Sequence, residues 1–353
     1  MRYRAPWPSG KGFRAGDPWR IGLLTVMPVV LCGGAGRRLW PLSTPDRPKP
    51  FLSFGQDMSL FQKTLLRLSG NPFEPGPIVV AHQRNADLAA AQAHAIGIEI
   101  RLVLEPEGRE TCAAVLAGIL VAAQRRPDGL VGIFAADHNI PDQAGFVATL
   151  ASGLQVASEG YLLTFGVAPR HASPDFGYIL PGQMIGAGPA RRVASFIEKP
   201  DSARAVVLLE RGARWNSGNF LGSIPAWLTE ASTHAVSVLA AVERALREGR
   251  ADGGRVFLGD TFCEAPAIAV DRAIMERSDK VAMIAADHAW SDLGSWDEIA
   301  RQFGDGSDIF VLPGDLEVVV AGLEDVVVVV DGKRLLVTRK GQSATLKGIL
   351  ARK

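Results

Sequence analysis

The stretch that decides the fold is PVVLC at residues 28–32, which continues directly into GGAGRRL at residues 33–39. The first five residues form a short apolar run with β-branched members, which is typical of a buried strand. Glycines directly after a strand let the backbone turn sharply and approach a ligand closely. This order predicts an α/β protein with a ligand site at the end of its first strand.

The pattern around this stretch alternates short apolar runs with segments of helical length, which predicts a Rossmann-like α/β fold with a mixed, mainly parallel sheet flanked by helices. The expected strands in this half are Pro28 to Cys32, Ile78 to Ala81, Ile98 to Leu104 and Leu130 to Ala135. The expected helices are Leu60 to Leu68, Asn85 to Ala95 and Ala113 to Gln124. Each connection is long enough for a right-handed crossover between parallel strands.

After residue 161 the pattern becomes less regular and predicts a mixture of strands and helices that holds a second substrate. The expected strands are Leu162 to Val167, Arg192 to Ile197 and Asn219 to Gly222, and the expected helices are Ala203 to Arg211 and Val236 to Glu248. Valine-rich strands at Leu316 to Val320, Val326 to Val330 and Leu335 to Thr338 predict a small C-terminal β appendage. The predicted division is a flexible leader at 1–26, a catalytic domain at 27–304 and a β subdomain at 305–353. The open edge of the valine-rich strands suggests a homodimer contact.

Composition excludes several classes of protein. The 38 Lys and Arg residues nearly balance the 37 Asp and Glu residues, so no surface for nucleic acid or anionic lipid is indicated. The three cysteines are far apart and predict neither a disulfide framework nor a zinc site, which favours a reducing cytoplasm. The apolar stretch from Ile21 to Cys32 is too short to span a bilayer, and Leu31 is unsuited to a signal-peptide cleavage site, so no membrane association is expected.

The glycine-rich turn matches neither GxGxxG nor a P-loop, in which a lysine directly precedes Ser or Thr. Taken alone, the glycines fit a tight turn with solvated arginines about as well as a phosphate site. Arg38 and the nearby Lys49 favour phosphate, because both side chains can form charge-assisted hydrogen bonds to a triphosphate.

The segment GGAGRRLWPLS with PKPF resembles the signature loop of the sugar-nucleotide pyrophosphorylases, and its tryptophan resembles the mannose-1-phosphate guanylyltransferase branch. Further blocks resemble that family in the same order, so the resemblance covers about Met27 to Phe303. The blocks are EPEGRETCAA from Glu105, AADHNI from Ala135, FGYI from Phe176, FIEKPD from Phe196, WNSGNF from Trp215, AVDRAIMER from Ala269 and WSDLGSW from Trp290.

The resemblance implies roles for single residues and implies GTP, mannose 1-phosphate and Mg²⁺ as ligands. The implied catalytic residues are Arg38, Lys49 and Asp137, and the implied Mg²⁺ ligands are Asp137 and Asp292. The implied nucleotide-binding residues are Gly33, Gly34, Gly36, Arg38, Glu105 and Arg109. The implied sugar-phosphate contacts are Gly177, Glu198, Lys199 and Asn216. Asp137 also follows a predicted strand, at the end of a sheet where ligands bind in such folds.

No serine or cysteine nucleophile stands in a motif with a base, and none is needed. A sugar phosphate is largely a dianion at neutral pH and can attack the α-phosphorus of the triphosphate directly. Three residues, Arg37, Pro50 and Glu110, depart from the usual letters of the family, which keeps a thymidylyl- or uridylyltransferase acting on glucose 1-phosphate as an alternative. A non-catalytic sugar-nucleotide-binding regulator is the other alternative. An acyltransferase with a β-helix is disfavoured, because the segment after Gly304 is short.

Overall fold

The computed structural model describes residues 24–33, 37–343 and 346–350, without the side chains of Arg37 and Lys347. The strands are β1 Val26–Cys32, β2 Ile78–His82, β3 Arg101–Glu105, β4 Leu130–Ala135, β5 Leu162–Val167, β6 Tyr178–Met184, β7 Arg191–Ile197, β8 Arg214–Ser223, β9 Arg250–Asp252, β10 Arg255–Phe257, β11 Val281–Ala286, β12 Ile309–Leu312, β13 Val326–Asp331 and β14 Arg334–Arg339. The α-helices are α1 Leu60–Arg67, α2 Ala86–Ala95, α3 Glu110–Arg125, α4 Gln143–Ala151, α5 Leu154–Ser158, α6 Ser202–Glu210, α7 Ile224–His234, α8 Val236–Glu248, α9 Trp296–Phe303 and α10 Leu346–Leu350. Short 3₁₀ turns lie at Arg37–Leu39, Lys49–Phe51, Gln83–Asn85 and Asp260–Glu264, and a π turn lies at Asp271–Met275.

Eleven strands form one sheet in the order β5-β11-β7-β6-β8-β4-β1-β2-β3-β10-β9, with an additional pairing of β5 with β8. Strand β1 lies between β2 and β4 and is parallel to both, and β3 is parallel to β2. Strand β8 runs antiparallel to β4, β5 and β6. This arrangement confirms the predicted mixed α/β sheet, whose parallel part is formed by the first half of the chain.

The first strand is apolar along its whole length because both faces of the sheet are covered. Of its residues, only Leu31 is not fully buried. Helix α3 packs against β1 and β2, and Gly118 allows the close approach, since a Cβ there would lie 2.4 Å from a methyl group of Val29. At the other end of the sequence motif, α1 begins at a capping box formed by Ser59 and Gln62. Because β1 to β4 are parallel and buried on both faces, their carboxyl ends lie at one edge of the sheet.

The predicted leader lies outside the described residues as far as residue 23, and β1 begins at the buried Val26. None of the helices in the described ranges is long and apolar enough to cross a membrane.

The C-terminal part contains a second, three-stranded sheet, in which β12 is parallel and β14 antiparallel to the central β13. The expected strand from Leu316 to Val320 is wrong: that segment is irregular, and β12 occupies the place beside β13 instead. The segment follows a turn at Gly314 and leaves Val319 exposed, so its valines have no partner strand to pair with. Strand β14 forms an edge of this sheet in the described residues, and its Leu335 and Val337 side chains are exposed.

Candidate active site

A cavity of about 580 Å³ lies at the carboxyl ends of β1 to β4. Its wall also includes the start of α3, part of β8 and the first residue of the π turn, Asp271. Crevices at the carboxyl ends of parallel strands are the usual ligand sites of open α/β sheets. The position of this cavity matches the expectation drawn from the first strand and its glycine-rich turn.

Lys49 joins Asp137 and Asp292, the two residues that were predicted to bind metal, through the carboxylate of the first and the backbone of the second. Its buried ammonium donates a hydrogen bond to Asp137 Oδ2 at 2.8 Å and another to the backbone carbonyl of Asp292. Asp137 follows β4, and Asp292 follows β11 by six residues. Two backbone hydrogen bonds between Asn139 and Ser291, of 2.9 and 3.0 Å, hold these distant segments side by side.

The charges at this centre do not balance. Burial of Asp137 opposes its ionisation, but Lys49 and the adjacent His138 outweigh that effect and keep the pKa of Asp137 below its ordinary value. The pKa of Asp292 is raised, mainly by burial and also by Asp137, although Lys49 opposes the rise. One ammonium thus serves two carboxyl groups, and a further cation would relieve their repulsion. The described residues contain no group of three or more His, Cys, Asp or Glu that could hold a metal ion. A pair of carboxylates is nevertheless what Mg²⁺ uses when substrate phosphates complete its shell.

His138 lies beside Asp137 in the cavity wall and is 8% exposed. Its Nδ1 accepts a hydrogen bond of 3.3 Å from Trp290 Nε1, and the two rings meet edge to face. Burial lowers the pKa of His138 to about 4, although Asp137 opposes the change. The imidazole is therefore uncharged at neutral pH.

The opposite part of the cavity carries buried polar atoms that lack partners. Glu105 ends β3 and Asn85 ends the 3₁₀ turn after β2, and these residues are 5% and 4% exposed. Neither Glu105 Oε1 nor Asn85 Oδ1 has a hydrogen-bond partner among the described residues, and the same holds for Arg109 Nε. Burial raises the pKa of Glu105 to about 8. Buried acceptors without donors cost about 1–3 kcal/mol each, so this wall is suited to a ligand that brings hydrogen-bond donors.

Arg109 and Glu110 shape the wall where α3 begins. Arg109 Nη2 donates to the carbonyl of Cys263, and its guanidinium lies 3.5 Å from Glu107. Glu110 has a φ of 58°, a left-handed conformation that asparagine adopts more readily than glutamate. The departure of Glu110 from the usual asparagine is thus a strained position in the backbone, with an exposed side chain in the cavity wall.

The glycine-rich turn is described only at its two ends. Gly33 lines the cavity, whereas Gly34 and Gly36 lie outside the described residues. Arg38 forms an ion pair of 3.1 Å with Asp175, and both side chains are about half exposed. The nucleotide-binding roles expected of these residues remain predictions.

The four residues predicted to contact the sugar phosphate lie together. Asn216 N donates to the carbonyl of Gly177 at 2.8 Å, and Lys199 Nζ lies 2.6 Å from Glu198 Oε1. A Cβ on Gly177 would lie 2.5 Å from Glu198 Oε2, so only glycine fits there without a shift. The side chains of Glu198, Lys199 and Asn216, a carboxylate, an ammonium and an amide, therefore lie close to Gly177.

Asp271 joins this group and was not predicted. Asn216 Nδ2 donates to Asp271 Oδ1 at 2.7 Å, and Asn216 Oδ1 accepts from Thr164 Oγ1 at 2.7 Å. Burial, and then repulsion from Glu198, raise the pKa of Asp271 to about 7. Because Asp271 also lines the cavity, it connects the four residues predicted to contact the sugar phosphate with the cavity wall. The residue belongs to the AVDRAIMER block, but only its three-dimensional contacts single it out.

The segment that carries Lys49 packs against the C-terminal sheet. Trp296 Nε1 donates to the carbonyl of Trp40 at 2.9 Å. An apolar cluster joins the segment to α9 and to the three-stranded sheet; its buried members are Leu39, Leu52, Phe54, Leu60, Leu293, Trp296, Ile299, Phe310, Val327, Val329, Leu336 and Leu346. The smaller sheet therefore supports the loop from which Lys49 enters the site.

Comparison with protein families gives one match over most of the chain: the nucleotidyl transferase family profile covers residues 27–307. A mannose-1-phosphate guanylyltransferase of Sinorhizobium fredii is 36% identical over 295 residues, which are 82% of this chain and 57% of that protein. The xanthan biosynthesis protein XanB of Xanthomonas campestris is 34% identical over 343 residues, which are 92% of this chain and 73% of that protein. The chain thus spans little more than half the length of the first of these relatives.

Solved structures show the same fold. A structure described as a mannose-1-phosphate geranyltransferase from Thermus thermophilus has a TM-score of 0.80 and 28% identity, and covers 93% of this chain and 99% of its own. A UDP-glucose pyrophosphorylase complexed with UDP-glucose has a TM-score of 0.54 over 79% of this chain and 98% of its own. At 12% identity the second structure shows similarity of fold alone.

Proposed function

This chain belongs to the nucleotidyl transferase family, and on that premise we propose that it transfers a guanylyl group from GTP to mannose 1-phosphate. The products are GDP-mannose and pyrophosphate. The name of the similar protein from Sinorhizobium fredii supports mannose 1-phosphate as the acceptor. The observation that carries the choice of GTP is the pair of buried acceptors in the cavity wall, Asn85 Oδ1 and Glu105 Oε1.

Guanine fits these acceptors because its N1–H and N2–H₂ donors lie side by side. Uracil and thymine offer one N–H between two carbonyl groups, and adenine offers an amino group beside an acceptor nitrogen. Of these bases, guanine alone can offer adjacent N–H donors to two acceptors without presenting a lone pair to either. The donors also favour the carboxylate form of Glu105 and offset the effect of its burial. A site that leaves buried polar groups unpaired rejects the wrong ligand strongly.

The sugar phosphate binds in this proposal among Gly177, Glu198, Lys199 and Asn216. Glu198 and Asn216 have oxygen and nitrogen atoms suited to sugar hydroxyls, and the ammonium of Lys199 suits a phosphate. Asp271 holds the amide of Asn216 in one orientation, through the hydrogen bond of 2.7 Å.

The reaction is a displacement at the α-phosphorus of GTP. An oxygen of the sugar phosphate forms the new bond to phosphorus, and the bond to the oxygen that bridges the α- and β-phosphates breaks. Pyrophosphate leaves with that electron pair, and no proton has to be removed from the attacking dianion. Lys49 is held rigidly by Asp137 and by the Asp292 carbonyl, so its charge is already in place to stabilise the phosphates.

Mg²⁺ is proposed to bind at Asp137 and Asp292, where two carboxyl groups share a single ammonium. When bound, the ion would neutralise charge on the triphosphate and on the departing pyrophosphate. The protein contributes the segments paired at Asn139 and Ser291, which hold both acids side by side, and the buried Lys49 that contacts both residues.

The test is pyrophosphate release by the purified chain with Mg²⁺, using GTP, ATP, UTP or dTTP, each with mannose 1-phosphate or glucose 1-phosphate. We expect release with GTP and mannose 1-phosphate to exceed every other pair by at least about a hundredfold. Glu105→Gln is expected to reduce this preference for GTP, while the matched exposed variant Glu107→Gln keeps it. Preference for another pair would refute the assignment of guanine or mannose. No release with any pair would favour a binding protein without catalytic activity.

A further inference from the structure

His138 is a cavity residue to which the proposed reaction assigns no role. It directly follows the proposed metal ligand Asp137, and its ring lies against Trp290, with ring centroids 5.2 Å apart. Gly218 lies beside the ring, because a Cβ there would be 3.7 Å from His138 Cε1. Gly218 N in turn donates to Asn216 Oδ1 at 3.1 Å. His138 therefore lies between the metal-binding carboxylates and the sugar-phosphate residues.

Trp290 determines which ring nitrogen of His138 carries the proton. The indole Nε1–H can only donate a hydrogen bond, and it points to His138 Nδ1 at 3.3 Å. Nδ1 must therefore offer a lone pair, which leaves the ring proton on Nε2. A doubly protonated ring would place a second N–H against the indole N–H. Trp290 is only 5% exposed, so water does not replace this contact.

The other ring nitrogen is available for a ligand. Among the described residues no acceptor pairs with His138 Nε2, although the residue is buried and lines the cavity. The chain thus presents one N–H donor at a fixed position beside Asp137. An anionic oxygen is the acceptor that such a donor binds best.

We propose that His138 binds an oxygen of the sugar 1-phosphate through Nε2–H and orients it for attack, with Trp290 as the residue that fixes the tautomer. The proposal rests on the proposed function for the identity of the ligand, but the tautomer follows from the protein alone.

The sequence AADH occurs twice, at residues 135–138 and 285–288, and the second copy supplies a control. The second copy ends at His288, whose Nδ1 lies 3.3 Å from Thr149 Oγ1, and His288 does not line the cavity. A hydroxyl both donates and accepts, so this contact does not fix a tautomer. Substitution of His288 therefore controls for the loss of a histidine elsewhere in the fold.

Two variants separate the ring nitrogens of His138. Glutamine places an amide N–H near the position of Nε2, and asparagine places an amide near Nδ1. We expect His138→Gln to keep turnover within about threefold of the parent. His138→Asn should raise the KM for mannose 1-phosphate or lower kcat by about ten- to a hundredfold, since hydrogen bonds to charged groups are worth about 1.5–3 kcal/mol. Binding of GTP alone should not change, and His288→Asn should match the parent protein.

Long-range ¹⁵N–¹H spectra of the histidines test the tautomer directly and need no activity. We expect His138, identified by the signal lost in His138→Gln, to show a protonated Nε2 and an unprotonated Nδ1. Trp290→Phe should introduce the other tautomer. Addition of mannose 1-phosphate should shift the Nε2 signal, and glucose without phosphate should not.

The outcomes distinguish this inference from the proposed function. A protein that shows the Nε2–H tautomer and binds mannose 1-phosphate at His138, yet releases no pyrophosphate, would contradict the reaction and retain the binding role. An Nδ1–H tautomer, a charged ring, or equal losses in the glutamine and asparagine variants would overturn the role of His138 itself.

Discussion

Glu105 makes the stability of the ligand-free protein depend on pH in an unusual direction. Its pKa is about 8 in the folded protein, against 4.5 for an ordinary glutamate, because the side chain is buried; its Oε1 also has no donor among the described residues. Between these two pH values the unfolded chain loses the proton while the folded chain keeps it. The unfolded state then binds fewer protons, so the free energy of unfolding falls as the pH rises.

The size of the effect follows from about 1.4 kcal/mol for each pH unit over which only the unfolded state is ionised. Between pH 5 and pH 8 the parent protein should lose about 3 kcal/mol relative to Glu105→Gln, which has the same shape and does not titrate. Any fixed cost of the amide shifts both measurements equally and cancels in this difference.

The assay is urea unfolding of the parent, Glu105→Gln and the exposed control Glu107→Gln at pH 5, 6, 7 and 8, without nucleotide. The difference between parent and Glu105→Gln should grow with pH, and Glu107→Gln should follow the parent. With saturating GTP, the stability difference between the parent and Glu105→Gln should depend less on pH, because the proposed guanine donors stabilise the carboxylate. A difference that stays constant from pH 5 to pH 8 would refute the reasoning.

Three further predictions test the remaining parts of the molecule. Lys49→Met should lower turnover by at least about a hundredfold, because the phosphates lose a positive charge. It should also lower the free energy of unfolding by about 1–3 kcal/mol, because Asp137 loses its partner but keeps some solvent contact. Kinetics and urea unfolding measure the two effects, and normal turnover would contradict the role of Lys49. Gly177→Ala should raise the KM for the sugar phosphate about tenfold and leave the KM for GTP unchanged, since its methyl group would meet Glu198 Oε2; equal changes in both constants would count against this placement. If the exposed edge strand β14 forms a homodimer contact, Leu335→Lys should convert a dimer into a monomer in light scattering, and a monomeric parent protein would remove that hypothesis.

Elements whose pattern is local were predictable from the sequence. Strand β4 and helix α8 have the predicted bounds, because a continuous apolar run and an amphipathic period each identify one element without knowledge of its neighbours. Strand β8 is longer than the predicted Asn219 to Gly222, since its first residues form no apolar run but pair with β5 and β6 through their backbone. The prediction of a strand at Leu316 to Val320 was wrong, because β propensity does not show which segment finds a partner strand.

The candidate site was predictable where a residue stands at a recognisable place in a sequence motif, and not where only three-dimensional contacts identify the residue. The motifs placed Lys49, Asp137 and Asp292 in one site, and the structure brings these three together. They did not indicate the unpaired acceptor of Asn85 or the carboxyl of Asp271. A missing hydrogen-bond partner depends on every neighbour of an atom, and most of those neighbours come from other parts of the chain.

Contacts between distant parts of the chain also explain how the small C-terminal sheet can influence chemistry at the cavity. Lys49 reaches the carboxylates from a loop whose apolar side chains are buried against α9 and β13. The hydrogen bond from Trp296 Nε1 to the Trp40 carbonyl ties this loop to the helix that directly follows the Asp292 segment. Packing that fixes the loop therefore also fixes the distance between Lys49 and both acids. Loss of this support should lower turnover before it changes the large sheet, because the cavity wall at β2 and β3 does not depend on it.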